Sequence, residues 1–464
     1  MEQPKLVKLL EVCKVAPFPH SPNSTAQTTL PLTFFDLQWL RFHPTQRLFF
    51  YELPYPKPTL VDTVLPRLKH SLSTTLQHYL PLAGNLTWPP DSAKPFLQYN
   101  EGDTISLTIA ESEANFYHHL SGTEFREAKD FHPYLPFLMP SETRAPILAL
   151  QVTLFPDAGF SIGYAAHHAM CDGKSIAMFM HSWALICRLG KDSTLPTELT
   201  PSYDRSIVKD PADIEKAYLK LWLGDNGPKP NNRSLEIWGG GAPPDMMFGT
   251  FQLTKANIES LKKWVEAKWQ EKHPEKPAFH PSTFAITTSY SWVCFIKTRE
   301  LTTEKANLLF AVDCRARLEP PIPSTYFGNC ITGCVIDAYT NKLMEEDGVA
   351  QAAWAIGEAV KGLDDGVLNG AEELMMSKVI SIQGEGLFSI RGSPRLELYK
   401  TDFGWGKPKK VEMVSIHRGG AFTLSDTRDG KGGVEIGVVL KKHETEAFAS
   451  IFASGLKSHH VLEN

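Results

Sequence analysis

Residues 147–189 decide how the fold is read: ILALQVTLF (147–155), PDAG (156–159), FSIGYAA (160–166), HHAMCD (167–172) and GKSIAMFMHSWALICRL (173–189). The first run, Ile147–Phe155, is rich in Leu, Val and Thr and reads as a strand. Pro156-Asp157-Ala158-Gly159 is turn chemistry, so Phe160–Ala166 is the returning strand of a hairpin. From Gly173 to Leu189 the pattern becomes helical. Ile176, Met178, Phe179, Met180, Trp183, Leu185 and Ile186 make that helix apolar on most faces, which predicts deep burial. A strand that ends on His167-His168 and passes into a buried helix puts those side chains at the rim of a sheet, where clefts form.

The same reading extends outward. Leu60, Val61, Val64, Leu65, Leu68, Leu72 and Leu76 step by three and four, predicting a helix over Leu60–Leu80 that Pro81 and Gly84 stop. Residues 190–235 mix Gly, Pro, Asp, Ser and Thr among short helical pieces, as a connection between domains does. Beyond it, Ala256–Lys272 is an amphipathic helix, and Ser291–Phe295, Asn307–Val312, Gly328–Ala338 and Val434–Leu440 read as strands. Two helical stretches fill 348–382, Asp402–Gly406 is a loop, and Glu444–Phe452 is a closing helix. Interleaved strands and helices predict an α/β protein with mixed sheets. Its two domains of similar size would be residues 1–189 and 236–464, joined by 190–235.

Composition narrows the class. Of the 464 residues, 42% are hydrophobic and 21% charged, a globular balance that argues against disorder. Lys and Arg total 47 against 52 Asp and Glu, a net charge of −5, which argues against a nucleic-acid coat or a polybasic membrane arm. Lys8, Glu11 and Lys14 interrupt Leu6–Val15, so it is no signal-peptide core. No run approaches the ~18 apolar residues of a membrane span. Seven dispersed cysteines without a Cys-x-x-Cys fit free thiols in a reducing compartment. The expectation is a cytoplasmic monomer with neither nucleic-acid nor membrane partners.

His168 can titrate near neutral pH and serve as a general base, and Asp172, four residues on, can cap the helix or orient the histidine. The spacing suits equally well a pair of satisfied core histidines and an ordinary N-cap. Gly159-Phe160-Ser161-Ile162-Gly163 spells a hydrolase nucleophile elbow, but its serine is followed by more strand, not by a helix. His167, His168 and Asp172 lack the spaced further ligand of a zinc site, so no metal is expected. Cys171 reads as a small buried hydrophobe. Gly430-Lys431-Gly432-Gly433 is a hairpin turn and no nucleotide-cradling loop, and Trp238-Gly239-Gly240-Gly241, similar to an oxyanion-hole loop, reads more simply as a flexible turn. A phosphate-bearing ligand would fall to scattered cations, Lys262, Lys263, Lys268 and Lys272 or Lys407, Lys409 and Lys410, which also read as solvated faces.

Two motifs in the expected order carry a family resemblance. His168-Ala169-Met170-Cys171-Asp172 fits a His-x-x-x-Asp signature, and Asp402-Phe403-Gly404-Trp405-Gly406 reproduces Asp-Phe-Gly-Trp-Gly in full. Together they resemble the plant BAHD acyl-CoA-dependent acyltransferases, and Asp313-Cys314-Arg315-Ala316-Arg317-Leu318 and Thr33-Phe34-Phe35-Asp36 are similar as well. Tyr326-Phe327-Gly328-Asn329-Cys330 is similar to the signature of the anthocyanin and flavonoid glycoside branch. The resemblance implies two chloramphenicol-acetyltransferase-like domains with a channel between them. It also implies acyl-CoA as co-substrate with no permanently bound cofactor, and a phenolic glycoside as acceptor.

Carried over by position, His168 becomes the general base. Asp172 and Asp402 are grouped with it as the catalytic set, with Asp172 paired to Arg315 or Arg317. Phe403, Gly404, Trp405 and Gly406 are structural, and Phe35, Trp39 and Asn329 line the substrate side. Malonyl is the preferred donor, with Lys174 as a candidate cation for its carboxylate. A hydroxycinnamoyl-CoA-dependent O- or N-acyltransferase, or a non-catalytic acyl-CoA binder on the same scaffold, is the alternative.

Overall fold

The computed structural model describes residues 7–18, 28–120, 125–190, 194–224, 231–238, 243–275, 279–373, 386–416 and 420–459. The hairpin and helix at its centre are as the sequence reads: strands Leu148–Phe155 and Gly159–Ala166 pair in antiparallel register, and the helix Gly173–Leu189 follows. Every residue of both strands is buried, because both faces of the sheet are covered.

A six-stranded sheet has the order Lys8–Val15, Ile105–Glu111, Leu148–Phe155, Gly159–Ala166, Thr45–Glu52 and Lys410–Met413. A seven-stranded sheet runs Ile331–Tyr339, Lys305–Asp313, Leu387–Arg391, Ala421–Asp426, Val434–Lys441, Met246–Leu253 and Arg126–Glu127. A small four-stranded sheet is built from Thr28–Pro31, Phe96–Tyr99, Asn85–Thr87 and Arg144–Pro146. Parallel and antiparallel neighbours occur in both large sheets, so the mixed α/β class holds.

Each large sheet borrows its edge strand from the other half of the chain. Lys410–Met413 pairs with Thr45–Glu52, and Arg126–Glu127 pairs with Met246–Leu253. The exchanged strands meet through a fully buried ion pair, Arg126 Nη2 to Glu412 Oε1 at 3.1 Å. This double exchange covers two sheet edges that would otherwise be exposed. The 190–235 connection is itself ordered where described. Its helix Ile214–Leu223 anchors through Trp222 Nε1, which donates to the Leu37 carbonyl at 2.6 Å. Its residue Ser202 bonds Thr325 and Phe327 through the backbone.

One strand assignment fails. Ser291–Phe295 lies inside the helix Thr283–Arg299, whose N-cap Ser282 accepts from the Ala285 N–H. Residues Ala285–Ile296 are buried on every side, between neighbouring helices and the sheet. A helix buried on every side, with its Thr287, Ser289 and Ser291 hydroxyls bonded back to its own carbonyls, shows no polar face of 3.6-residue period, and its Val, Cys and aromatic residues mimic a strand. The Gly328–Ala338 strand begins later, at Ile331, because Tyr326–Cys330 is committed to tertiary bonds. The first of the 348–382 helices is Gly348–Gly362; part of the second lies outside the described residues. Gly239–Gly241 lie outside them too.

Candidate active site

His168 sits in the turn between the strand Gly159–Ala166 and the helix Gly173–Leu189, 8% exposed. Its ring stacks on Trp39 with centroids 4.0 Å apart and planes 11° from parallel. Its main-chain carbonyl accepts from Asn329 Nδ2 at 2.9 Å, fixing the turn from the other half of the chain. Burial pushes the imidazole pKa down to about 4, and the nearby Arg391 guanidinium acts in the same direction. At neutral pH the ring is therefore uncharged and able to accept a proton.

Asp172 is 1% exposed and has three partners. Its Oδ1 caps the helix by accepting from Ser175 N–H at 2.9 Å. Its Oδ2 faces Arg315 Nη2 at 2.9 Å and accepts from Cys330 N–H at 3.1 Å. Both sequence readings of this residue, cap and ion-pair partner, are thus realised in one carboxylate. The choice between the two arginines is resolved: Arg317 instead pairs with Asp364 at 2.7 Å on the surface. Arg315 also donates to the carbonyls of Tyr326 and Gly328.

The pentapeptide Tyr326–Cys330 is a seam between the halves. Ser175 Oγ donates to the Gly328 carbonyl and accepts from its N–H. A Cβ on Gly328 would meet the Arg205 guanidinium, so any other residue there would have to displace that side chain. Asn329, expected on the substrate side, is fully buried. Its Nδ2 donates to Asp36 Oδ1 at 3.0 Å as well as to the His168 carbonyl. Asp36, in turn, accepts from the backbone N–H groups of Asn329 and Thr33. Asp36 was not among the expected site residues. The available signal was a carboxylate inside the apolar run Phe34-Phe35-Asp36-Leu37, which has to be paired if buried. Phe35 packs against Phe34 in the core at 1% exposure, on a short helix and not on a strand.

Asp402–Gly406 is not brought to His168. The Asp402 carboxylate accepts from the N–H groups of Gly404 and Gly406 at 2.8 and 2.9 Å, closing the loop on itself. Phe403 is buried against Trp183, and Trp405 lies under the Arg67 guanidinium and against Phe160. Gly404 approaches Arg188, at the C-terminal end of the 17-residue helix whose N-terminal end carries the histidine turn. That helix spans about 25 Å. Gly404 has φ +100°, and a Cβ there would meet Arg67 Nη2 at 2.7 Å, whereas Gly406 at φ +93° has open space around it. Gly404→Ala should therefore cost about 1–3 kcal/mol in urea unfolding, and more than Gly406→Ala. Equal costs would show that Arg67 yields freely.

The other candidates resolve simply. Ser161 lies mid-strand with strand on both sides. Cys171 is buried and its thiol is held in the protonated form, a poor nucleophile. All seven cysteines are free. No cluster of three or more His, Cys, Asp or Glu with metal-binding geometry occurs among the described residues, and none of their helices is long and apolar enough to cross a membrane. Lys262, Lys268 and Lys272 have carboxylate partners in Glu259, Glu271 and Asp347. Lys409 pairs with Glu52, and Lys410 is buried between Glu412 and Glu435.

Two large mixed sheets that exchange edge strands, with a buried histidine turn held from the other half of the chain, make up the site. Solved structures agree on the fold: vinorine synthase superposes with a TM-score of 0.70 at 20% identity, covering 95% of this chain and 96% of that one. A family model described as the transferase family matches residues 14–454. Arabidopsis thaliana phenolic glucoside malonyltransferase 1 is 38% identical, covering 98% of this chain and 99% of the relative. Malonyl-CoA:anthocyanidin 5-O-glucoside-6''-O-malonyltransferase of the same plant is 40% identical, covering 97% and 98%. Agmatine coumaroyltransferase, also from Arabidopsis thaliana, is 36% identical over 96% of this chain and 98% of the relative. The chain belongs to the BAHD family of acyl-CoA-dependent acyltransferases.

Proposed function

We propose that this chain transfers an acyl group, malonyl by preference, from a coenzyme A thioester to a sugar hydroxyl of a phenolic glycoside. The observation that carries the mechanism is a nearly buried imidazole, stacked on Trp39, in a turn that Asn329 holds from the other half of the chain. His168 removes the hydroxyl proton as the oxygen attacks the thioester carbonyl. The tetrahedral intermediate collapses and expels the coenzyme A thiolate, which takes the proton back from the imidazolium. Holding donor and acceptor on either side of one histidine favours direct transfer in a ternary complex. Asp172 and Arg315 act by fixing the turn that carries the base. The malonyl preference draws on the malonyltransferases to which the chain is 38–40% identical.

The test is mass spectrometry with malonyl-CoA and p-coumaroyl-CoA competing for a flavonoid glucoside. A malonylated glucoside is expected. A coumaroylated product would replace the donor and bring the chain nearer the coumaroyl-transferring relative. Absence of any acylated glucoside would overturn the acceptor assignment.

The buried environment of His168 also sets a pH profile. Its pKa lies below the ordinary histidine value, so the base form is present at neutral pH and lost only as pH falls through about 4. The acid limb of kcat/KM, which reports the free enzyme, is expected there. A limb near 6.5, the ordinary histidine value, would mean that the reacting base is not this buried ring.

A further inference from the structure

Most cations near the histidine turn already have counter-charges. Lys174, the expected partner for a donor carboxylate, reaches Asp313 at 3.4 Å, and Arg315 serves Asp172 and Asp313. Among the described residues, those that lack such a partner include three arginines: Arg205, which lies over the Tyr326 ring and against Gly328, and the pair Arg391 and Arg47. Arg391 ends the strand Leu387–Arg391, in which Phe388 and Ile390 point into the core and Ser389 and Arg391 point to the opposite face. The segment that follows it reaches the histidine turn, where Leu396 lies 3.2 Å from the place a Cβ on Gly173 would take. Arg47 comes from the other sheet, paired opposite Tyr164 in register, and is 4% exposed. Its Nη2 lies 3.7 Å from where a Cβ on Gly392, the residue after Arg391, would sit. Neither arginine has a carboxylate partner among the described residues, and Arg47 Nε is buried without a hydrogen bond.

Burying a guanidinium without a counter-ion is unfavourable, so such a pair beside a reacting centre is suited to an anion that arrives with a ligand. The position selects which anion. In a malonyl thioester one methylene separates the carboxylate from the reacting carbonyl, so a cation holding that carboxylate has to lie beside the general base. A planar guanidinium can accept it through two parallel hydrogen bonds.

We propose that Arg391, supported by Arg47 across the seam, is the receptor for the free carboxylate of the donor's acyl group. It thereby selects short dicarboxylic monothioesters over neutral acyl-CoA. This rests on the acyl-transfer reading above. It assigns the malonyl preference to a residue that neither sequence motif contains.

The test is calorimetric titration of the whole protein with malonyl-CoA and with propionyl-CoA, which lacks the carboxylate. Wild type should bind malonyl-CoA about 30–100-fold more tightly, the range of a charge-assisted contact. Arg391→Gln should abolish that preference and leave propionyl-CoA binding unchanged, which also certifies the fold. Arg391→Lys should restore part of it. A preference that survives Arg391→Gln, or a wild type with none, overturns the assignment, as does an equal loss for both donors. No acceptor is needed, so the two readings fail separately. Selective malonyl-CoA binding without transfer to any alcohol or amine would defeat the acyl-transfer reading alone. Acyl transfer without carboxylate selectivity would defeat only the assignment to Arg391.

Discussion

Replacing His168 by alanine lowers the turnover of acyl transfer by about 10²–10⁴-fold, the span usually lost with a positioned general base, while coenzyme A affinity is retained. Its ring is buried against Trp39 and its pKa is depressed, so at neutral pH it is a ready acceptor for the hydroxyl proton. Steady-state kinetics with a malonyl donor, beside coenzyme A titration of the same variant, separates chemistry from binding. A variant that keeps activity within about tenfold would move the proton transfer to another group, since water alone would not recover the lost factor. A protein that transfers nothing in either form, yet binds coenzyme A in both, would be a binder on an acyltransferase scaffold.

Asp172→Ala should destabilise the protein by about 3–5 kcal/mol and lower turnover, although the carboxylate faces away from the reacting groups in this account. It leaves Arg315 buried without its counter-charge, uncaps the helix at Ser175 and frees the Cys330 N–H. Arg315→Ala strands Asp172 in the same way, though there the cap remains. The double variant should therefore lose less than the sum of the two single losses in urea denaturation, because neither charge is then abandoned. Strict additivity would mean that the pair is not coupled. A kcat that falls while the urea midpoint holds would give Asp172 a direct part in the reaction.

Much of this architecture is local and could be read directly. The hairpin 147–166 declares itself through apolar runs flanking Pro156-Asp157-Ala158-Gly159, and the helix after it through its composition. The two motifs identify the family because each is contiguous: Asp402 closes its own loop onto Gly404 and Gly406, two and four residues away. Where local pattern and burial part company, the reading fails. Ser291–Phe295 resembles a strand because a helix buried on every side has no polar face to reveal its period.

By itself the sequence determined the mixed α/β class, the family, the histidine turn and the presence of a loop at Asp-Phe-Gly-Trp-Gly. Each of those depends on neighbours within a few positions. Only the tertiary structure decided that Arg315 and not Arg317 meets Asp172, and that Asn329 is spent holding the histidine turn. The same holds for the joining of Asp36 to that network and for the approach of Arg47 to the segment that follows Arg391. Asn329 and His168 are 161 residues apart along the chain, and Asn329 and Asp36 are 293 apart. Which distant donors and acceptors meet is set by how two sheets exchange edge strands and exclude water between them, and residue spacing carries no record of that choice.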